Sequence, residues 1–178
     1  NIPRDDKKTF EMLARGETED TFQLNGDGMT RFLVELKPST IHDINAMVAL
    51  YRPGPLQFIP DYIERKHDAS KIPKMDPAIY EILKKTYGVL VYQDDLLMMA
   101  HNLAGYTWGE VDKFRKAVGK KIPAEMAKQK QLFIEGCMKH SGWTEKRGEE
   151  IWTWIEPFAA YGFNKAHSVS YGRVAYIT

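Results

Sequence analysis

Apolar side chains recur at three- and four-residue intervals through most of this sequence, and proline or glycine interrupts each run. That spacing places them on one face of a helix, whereas a half-buried strand needs strict alternation. In "DDKKTFEMLARG", Phe10 and Leu13 share a face, Asp5 is placed to cap the start, and Gly16 lies beyond the end. "NGDG" then reads as two turn-forming pairs. Met29, Phe32, Leu33 and Leu36 resume the helical spacing until Pro38, and Ile41, Ile44, Val48 and Tyr51 carry it to "YRPGP".

The second half repeats this grammar. "PAIYEILKKT" predicts a short helix, and "YGVLVYQ" fits either a buried strand or the lead-in to a helix. "DDLLMMAHNLAG" ends on Gly105 as a C-cap. "TWGEVDKFRKAVGKK" opens on a capping box, Thr107 with Glu110, and lines up Val111, Phe114 and Val118, with Gly119 as its cap. "PAEMAKQKQLFIEGCMKH" and "EEIWTWIEPFAAYG" complete the set. The expected class is mainly α, an irregular multi-helix domain with at most a few short strands.

At 178 residues, 43% hydrophobic and 28% charged, the chain can bury a real core as one domain or one plus an appendage. Its longest apolar runs, Tyr87 to Tyr92 and Leu96 to Ala100, are too short to cross a bilayer, and no basic-then-apolar leader precedes them. The single cysteine, Cys137, cannot form a disulfide within the chain, which favours a reducing, cytoplasmic setting. Histidines at 42, 67, 101, 140 and 167 show no metal-ligand spacing. The chain begins without Met and stops inside "VAYIT", so it reads as a piece of something larger.

Net charge is +1, but it is unevenly spread. Between Val111 and Gln131, seven Lys and Arg face two acids, Asp112 and Glu125. With the apolar stripe turned inward, Arg115 and Lys116 point elsewhere, and Lys120 and Lys121 extend past Gly119. Such a group suits polyphosphate or a nucleic-acid backbone, and equally a solvated helix end whose cations complement the macrodipole. "GKK" is no P-loop, because Phe114 stands where the first glycine belongs.

Three further motifs each carry two readings. "YQDDLL" looks like the Tyr-x-Asp-Asp turn of reverse transcriptases, but the helical "LLMMAHNLAG" after it makes Asp94 and Asp95 a helix start instead. Arg52, ahead of the rigid Pro53-Gly54-Pro55 turn, is either a phosphate contact or a salt-bridged residue at a helix break. "YGFNKAHSVSYG" gathers Tyr161, Asn164, Lys165, His167, Ser168, Ser170 and Tyr171, with Gly162 permitting a tight turn. There Tyr161 can stack on a base while Asn164 and His167 bond a nucleotide, or Asn164 simply caps the next helix.

Taken in order, "PRDDKKTFEMLARGETEDTFQL", "MVALYRPGPL" with "FIPDYIERKH", "LKKTYGVLVYQDDLLMMAHNLAGYTWGEVDKFRKAVGKK" and "IEPFAAYGFNKAHSVSYGRVAYIT" resemble successive blocks of one family. It is the α subunit of bacterial DNA polymerase III, the C-family replicative polymerase, and the resemblance is to its fingers domain. The match covers essentially the whole chain. Departures occur at Asn25 and Gly26, where the family has an acid and Ser, and at Asp94 and Asp95, where it has Glu and Gln. The family's paired arginines appear as Arg115 and Lys116, and Lys supplies charge without bidentate geometry.

The resemblance implies residues 1–20 as a connecting segment from the palm side and residues 21–178 as fingers. It implies a template-directed DNA polymerase whose Mg²⁺-binding aspartates lie in the palm, which this chain lacks, so the segment alone should be inactive. Arg115, Lys116, Lys120, Lys121 and, more weakly, Arg52 are then expected at the dNTP phosphates. Tyr161, Asn164, Lys165 and His167 are expected at the nucleotide pocket or nascent base pair. The implied partners are dNTP, primer–template DNA, the sliding clamp and other replisome subunits, and no membrane. The alternatives are a non-catalytic basic helical module that binds nucleic acid, and a purely structural scaffold.

Overall fold

The computed structural model describes residues 2–120, 122–159 and 161–178. Ten α-helices account for most of them, and no strand occurs among the described residues, as the helical spacing required. The chain divides into two compact units, Asn1–Lys74 with Leu83–Val91 and Phe163–Thr178, and Met75–Ile82 with Tyr92–Gly162.

In the first unit, α1 (Lys7–Ala14) buries Phe10 and Leu13. Its cap is Asp6 rather than Asp5: the Asp6 carboxylate accepts from the Thr9 backbone N–H at 3.0 Å and from the Thr9 hydroxyl at 2.7 Å. Adjacent acids look alike in sequence, and one residue of helical phase separates them. α2 (Asp27–Leu36) starts inside the expected turn, since Gly26 is its N-cap and Asp27 its first residue. An acid in the first turn favours the helix dipole, so the second "turn pair" is a helix start.

α3 (Ile41–Leu50) is buried along eight successive residues, Asp43 to Leu50, more than one stripe would give. α4 (Ile59–His67) buries Ile59 and Tyr62. α10 (Lys165–Ile177) lies along α3 and buries Ser168, Gly172, Ala175 and Tyr176, while Val169, Val174 and Ile177 remain exposed. A Cβ at Gly172 would collide with Asn45 Oδ1, so glycine sets how closely these helices approach. The Ser168 hydroxyl donates to the Asn45 carbonyl at 2.6 Å.

Asp43 organises this unit from inside. It is fully buried and accepts from the Ser39 and Thr40 backbone N–H groups at 2.9 and 3.1 Å. It also accepts from the Tyr62 and Tyr87 hydroxyls at 3.1 and 3.2 Å, with Lys66 Nζ 3.5 Å away. A buried carboxylate persists only when its lone pairs are satisfied in this way. Tyr87 reaches it from a left-handed backbone (φ 52°), and burial beside that carboxylate raises the phenol pKa.

In the second unit, "YGVLVYQ" resolves as the helix lead-in, because α6 (Gln93–Ala104) begins directly after Tyr92. Asp94 and Asp95 occupy its first turn and Gly105 caps it in the left-handed region (φ 70°). α7 (Trp108–Lys120) buries Val111, Phe114 and Val118 as its stripe predicted. Gly119 is not its cap: the helix continues through it to Lys120. α8 (Pro123–Ser141) meets α6 where a Cβ at Gly136 would stand 2.5 Å from the Ala104 carbonyl oxygen. α9 (Glu145–Ala159) adds Trp152, whose ring centroid lies 5.7 Å from Phe133 and 6.4 Å from Phe114. Cys137 sits in this core, where burial pushes its thiol pKa up to about 12 and leaves it unreactive.

Candidate functional site

The expected site residues fall in both units. Arg52, Asn164, Lys165 and His167 belong to the first, and Arg115, Lys116, Lys120 and Tyr161 to the second. Lys121 lies outside the described residues.

Within the first unit the fold draws Arg52 to the residues just ahead of α10. Its Nε–H donates to the Ala49 carbonyl at 2.8 Å, closing the end of α3. Its guanidinium lies over the Phe163 ring, 4.6 Å from the centroid. Partial burial lowers its pKa from the usual arginine value, although an arginine stays charged. Phe163 in turn contacts the His167 imidazole (5.4 Å between centroids), which packs at 4.0 Å on Tyr171, itself 5.4 Å from Phe22. One row of a cation and four rings results, and sequence reasoning had not placed Phe163 or Phe22 in it. "RPGP" and "YGF" lie too far apart in sequence for any local signal to join them.

Asn164 is the N-cap of α10, its Oδ1 accepting from the His167 backbone N–H at 2.8 Å. The capping reading is thus borne out. The Asn164 side-chain oxygen is thereby committed to the helix, although the residue as a whole is exposed. Lys165 is half-buried; burial first, then Lys85 and least of all Lys165 hold the His42 imidazole below its usual pKa, against the opposing pull of Asp43. Ser168 is spent on α3, and the Ser170 hydroxyl on the Ala166 carbonyl one turn back at 2.9 Å.

Within the second unit, Arg115 and Lys116 share one carboxylate. Arg115 Nη2 lies 2.7 Å and Lys116 Nζ 2.6 Å from the oxygens of Asp112. Lys116 first and Arg115 second hold the Asp112 carboxyl below the ordinary carboxylate pKa. Their spacing from Asp112, three and four residues, was the signal for this pairing. All three are exposed, so the pairs are worth little and open easily, and two cations on one anion leave a net positive charge. Lys120 is exposed in the last turn. Tyr161 is 37% exposed, its backbone N–H bonded to the Phe158 carbonyl at 2.8 Å. Gly162 has no left-handed backbone; what favours glycine there is a tight approach, since a Cβ would sit 3.2 Å from the Gln93 Cα.

Among the described residues no three His, Cys, Asp or Glu side chains are grouped to hold a metal ion, and no helix is long and apolar enough to cross a membrane. Asp94 and Asp95 start a helix rather than a hairpin turn, which removes the structural basis for a reverse-transcriptase site.

Residues 1–141 match the family described as the bacterial DNA polymerase III alpha subunit finger domain. DNA polymerase III subunit alpha of Staphylococcus aureus (strain Mu50 / ATCC 700699) is 46% identical over 176 residues, covering 99% of this chain and 16% of that protein. Its counterpart in Staphylococcus epidermidis (strain ATCC 12228 / FDA PCI 1200) is 43% identical over the same span. The chain therefore spans about one-sixth of the length of these curated relatives. Blocks from the first helix to the last thus agree with one family in order and spacing, and the chain belongs to the bacterial DNA polymerase III alpha subunit finger domain family.

Proposed function

We propose that this chain forms the fingers of a template-directed DNA polymerase, holding the triphosphate of the incoming dNTP and guiding primer–template DNA. The observation that carries this reading is the exposed cation pair, Arg115 and Lys116, held ready on a single exchangeable carboxylate in a chain of this family. The reaction is attack of a primer 3′-oxygen on the dNTP α-phosphorus. The bond from that phosphorus to the bridging oxygen breaks, and pyrophosphate leaves with the electron pair.

Negative charge grows on the β- and γ-phosphates during this step. Arg115 and Lys116 would meet it by exchanging Asp112 for phosphate oxygens, charge-assisted bonds that strengthen towards the transition state. Lys120, and Lys121 beyond the described residues, would assist there or touch the template backbone. Tyr161 would pack against the nascent base pair, and Lys165, His167 and the Asn164 amide N–H₂ would line the nucleotide pocket. Arg52, committed to Ala49 and Phe163, would act mainly by fixing that wall. Mg²⁺ would be held by the palm. Catalysis would require the palm, and the sliding clamp and replisome subunits would be partners of the complete cytoplasmic polymerase.

The test is Arg115→Ala in the complete polymerase. kcat/KM for dNTP should fall on the order of 10²-fold, with affinity for blunt primer–template duplex nearly intact. A loss confined to DNA affinity, with dNTP kinetics unchanged, would favour a basic nucleic-acid-binding module instead.

A further inference from the structure

Trp108, the first residue of α7, is 61% exposed, the highest value among the large hydrophobic side chains of the described residues. It is nonetheless held in place. Its ring stacks on the His101 imidazole with centroids 4.3 Å apart and planes 21° from parallel. That imidazole is itself fixed, because Nδ1–H donates to the Tyr106 carbonyl oxygen at 2.6 Å. A large indole left in water costs hydrophobic free energy, and a ring already immobilised on one side loses little entropy when a second planar group stacks on it.

The helix supplies the remaining partner groups. Asp112 and Arg115 follow Trp108 by four and seven residues, which puts all three on one stripe. Seven residues at 1.5 Å rise separate the Trp108 and Arg115 backbones by about 10 Å along the helix axis. Gly119, one further turn along the same stripe, has open space where a Cβ would be, so a polymer backbone can approach there closely. An aromatic platform followed by a cation and bare helix backbone is the arrangement that binds single-stranded nucleic acid, with a base on the ring and phosphates on the cations.

We infer that Trp108 is a base-stacking platform for the unpaired template strand of DNA, working with Arg115 along one face of α7. This rests on the fingers reading above and assigns that surface a strand as well as a triphosphate. Stacking is tolerant of base identity, so the platform recognises single-strandedness rather than sequence.

The experiment compares Trp108→Ala and Trp108→Phe in the complete polymerase. Two primer–templates are used, one with a long single-stranded 5′ template overhang and one blunt. Trp108→Ala should weaken binding of the overhang substrate roughly tenfold, leave the blunt duplex unchanged, and keep the slope of log affinity against log salt, because no phosphate contact is lost. Trp108→Phe should restore most of the loss. Equal weakening on both substrates, no weakening on either, or a loss that phenylalanine fails to restore would each overturn the inference. The dNTP kinetics of Arg115→Ala report separately on the fingers reading, so failure of one does not mimic failure of the other.

Discussion

The guanidinium of Arg52 lies 4.6 Å from the centre of the Phe163 ring, joining the end of α3 to the start of α10 across 111 residues of sequence. The same side chain closes the last turn of α3 through the Ala49 carbonyl. Arg52→Ala removes both contacts, and we expect a loss of about 1–3 kcal/mol in denaturant unfolding. Arg52→Lys should recover less than half of it, because an ammonium has no planar face to lay on the ring.

Losing Asp43 should cost the first unit substantial stability. Asp43→Ala removes the buried acceptor shared by the Tyr62 and Tyr87 hydroxyls and the Ser39 and Thr40 backbone N–H groups, and the anion facing Lys66. About 3–5 kcal/mol of stability should disappear, measured by urea titration. A loss below ~1 kcal/mol would mean that water replaces the carboxylate freely.

Gly172 and Asn45 form a coupled pair. Gly172→Ala forces a methyl group against the Asn45 side-chain oxygen, and we expect a destabilisation of about 1–3 kcal/mol despite alanine's better helix propensity. In an Asn45→Ala background the same substitution should cost close to nothing. A double-mutant cycle reads this directly, and strict additivity would contradict the packing described.

Asp112 competes with the proposed triphosphate for its two cations. Asp112→Asn should therefore lower KM for dNTP a few-fold in the complete polymerase, with little change in melting temperature, since exposed pairs contribute about 0–1 kcal/mol. An increase in KM would mean that Asp112 positions the cations rather than restraining them.

Much of the fold was legible because its signals are local. The Thr107–Glu110 capping box, the Val111–Phe114–Val118 stripe and the Gly105 cap each lie within a few residues, and all appear where the spacing put them. Local rules erred where two local choices were nearly equal. Asp5 and Asp6 can both cap, and "DG" suits a turn or a helix start; packing of Phe10, Leu13 and Met29 decided the phase. The depth of α3 had no local signal at all. Asp43 and Asn45 are buried because tyrosines, a lysine and α10 come to them from distant segments.

The candidate site divides along the same line. The sequence by itself determined the helical class, the caps, the cation cluster of α7 and its i,i+3 and i,i+4 relation to Asp112, because each depends on helical phase over one or two turns. Only the tertiary structure decided that Arg52 lies on Phe163, that the Ser168 hydroxyl bonds the Asn45 carbonyl, and that His101 steadies Trp108. Those contacts depend on where separate helices meet, and that is set by the summed burial of side chains such as Trp152, Phe133 and Leu50 rather than by any short motif.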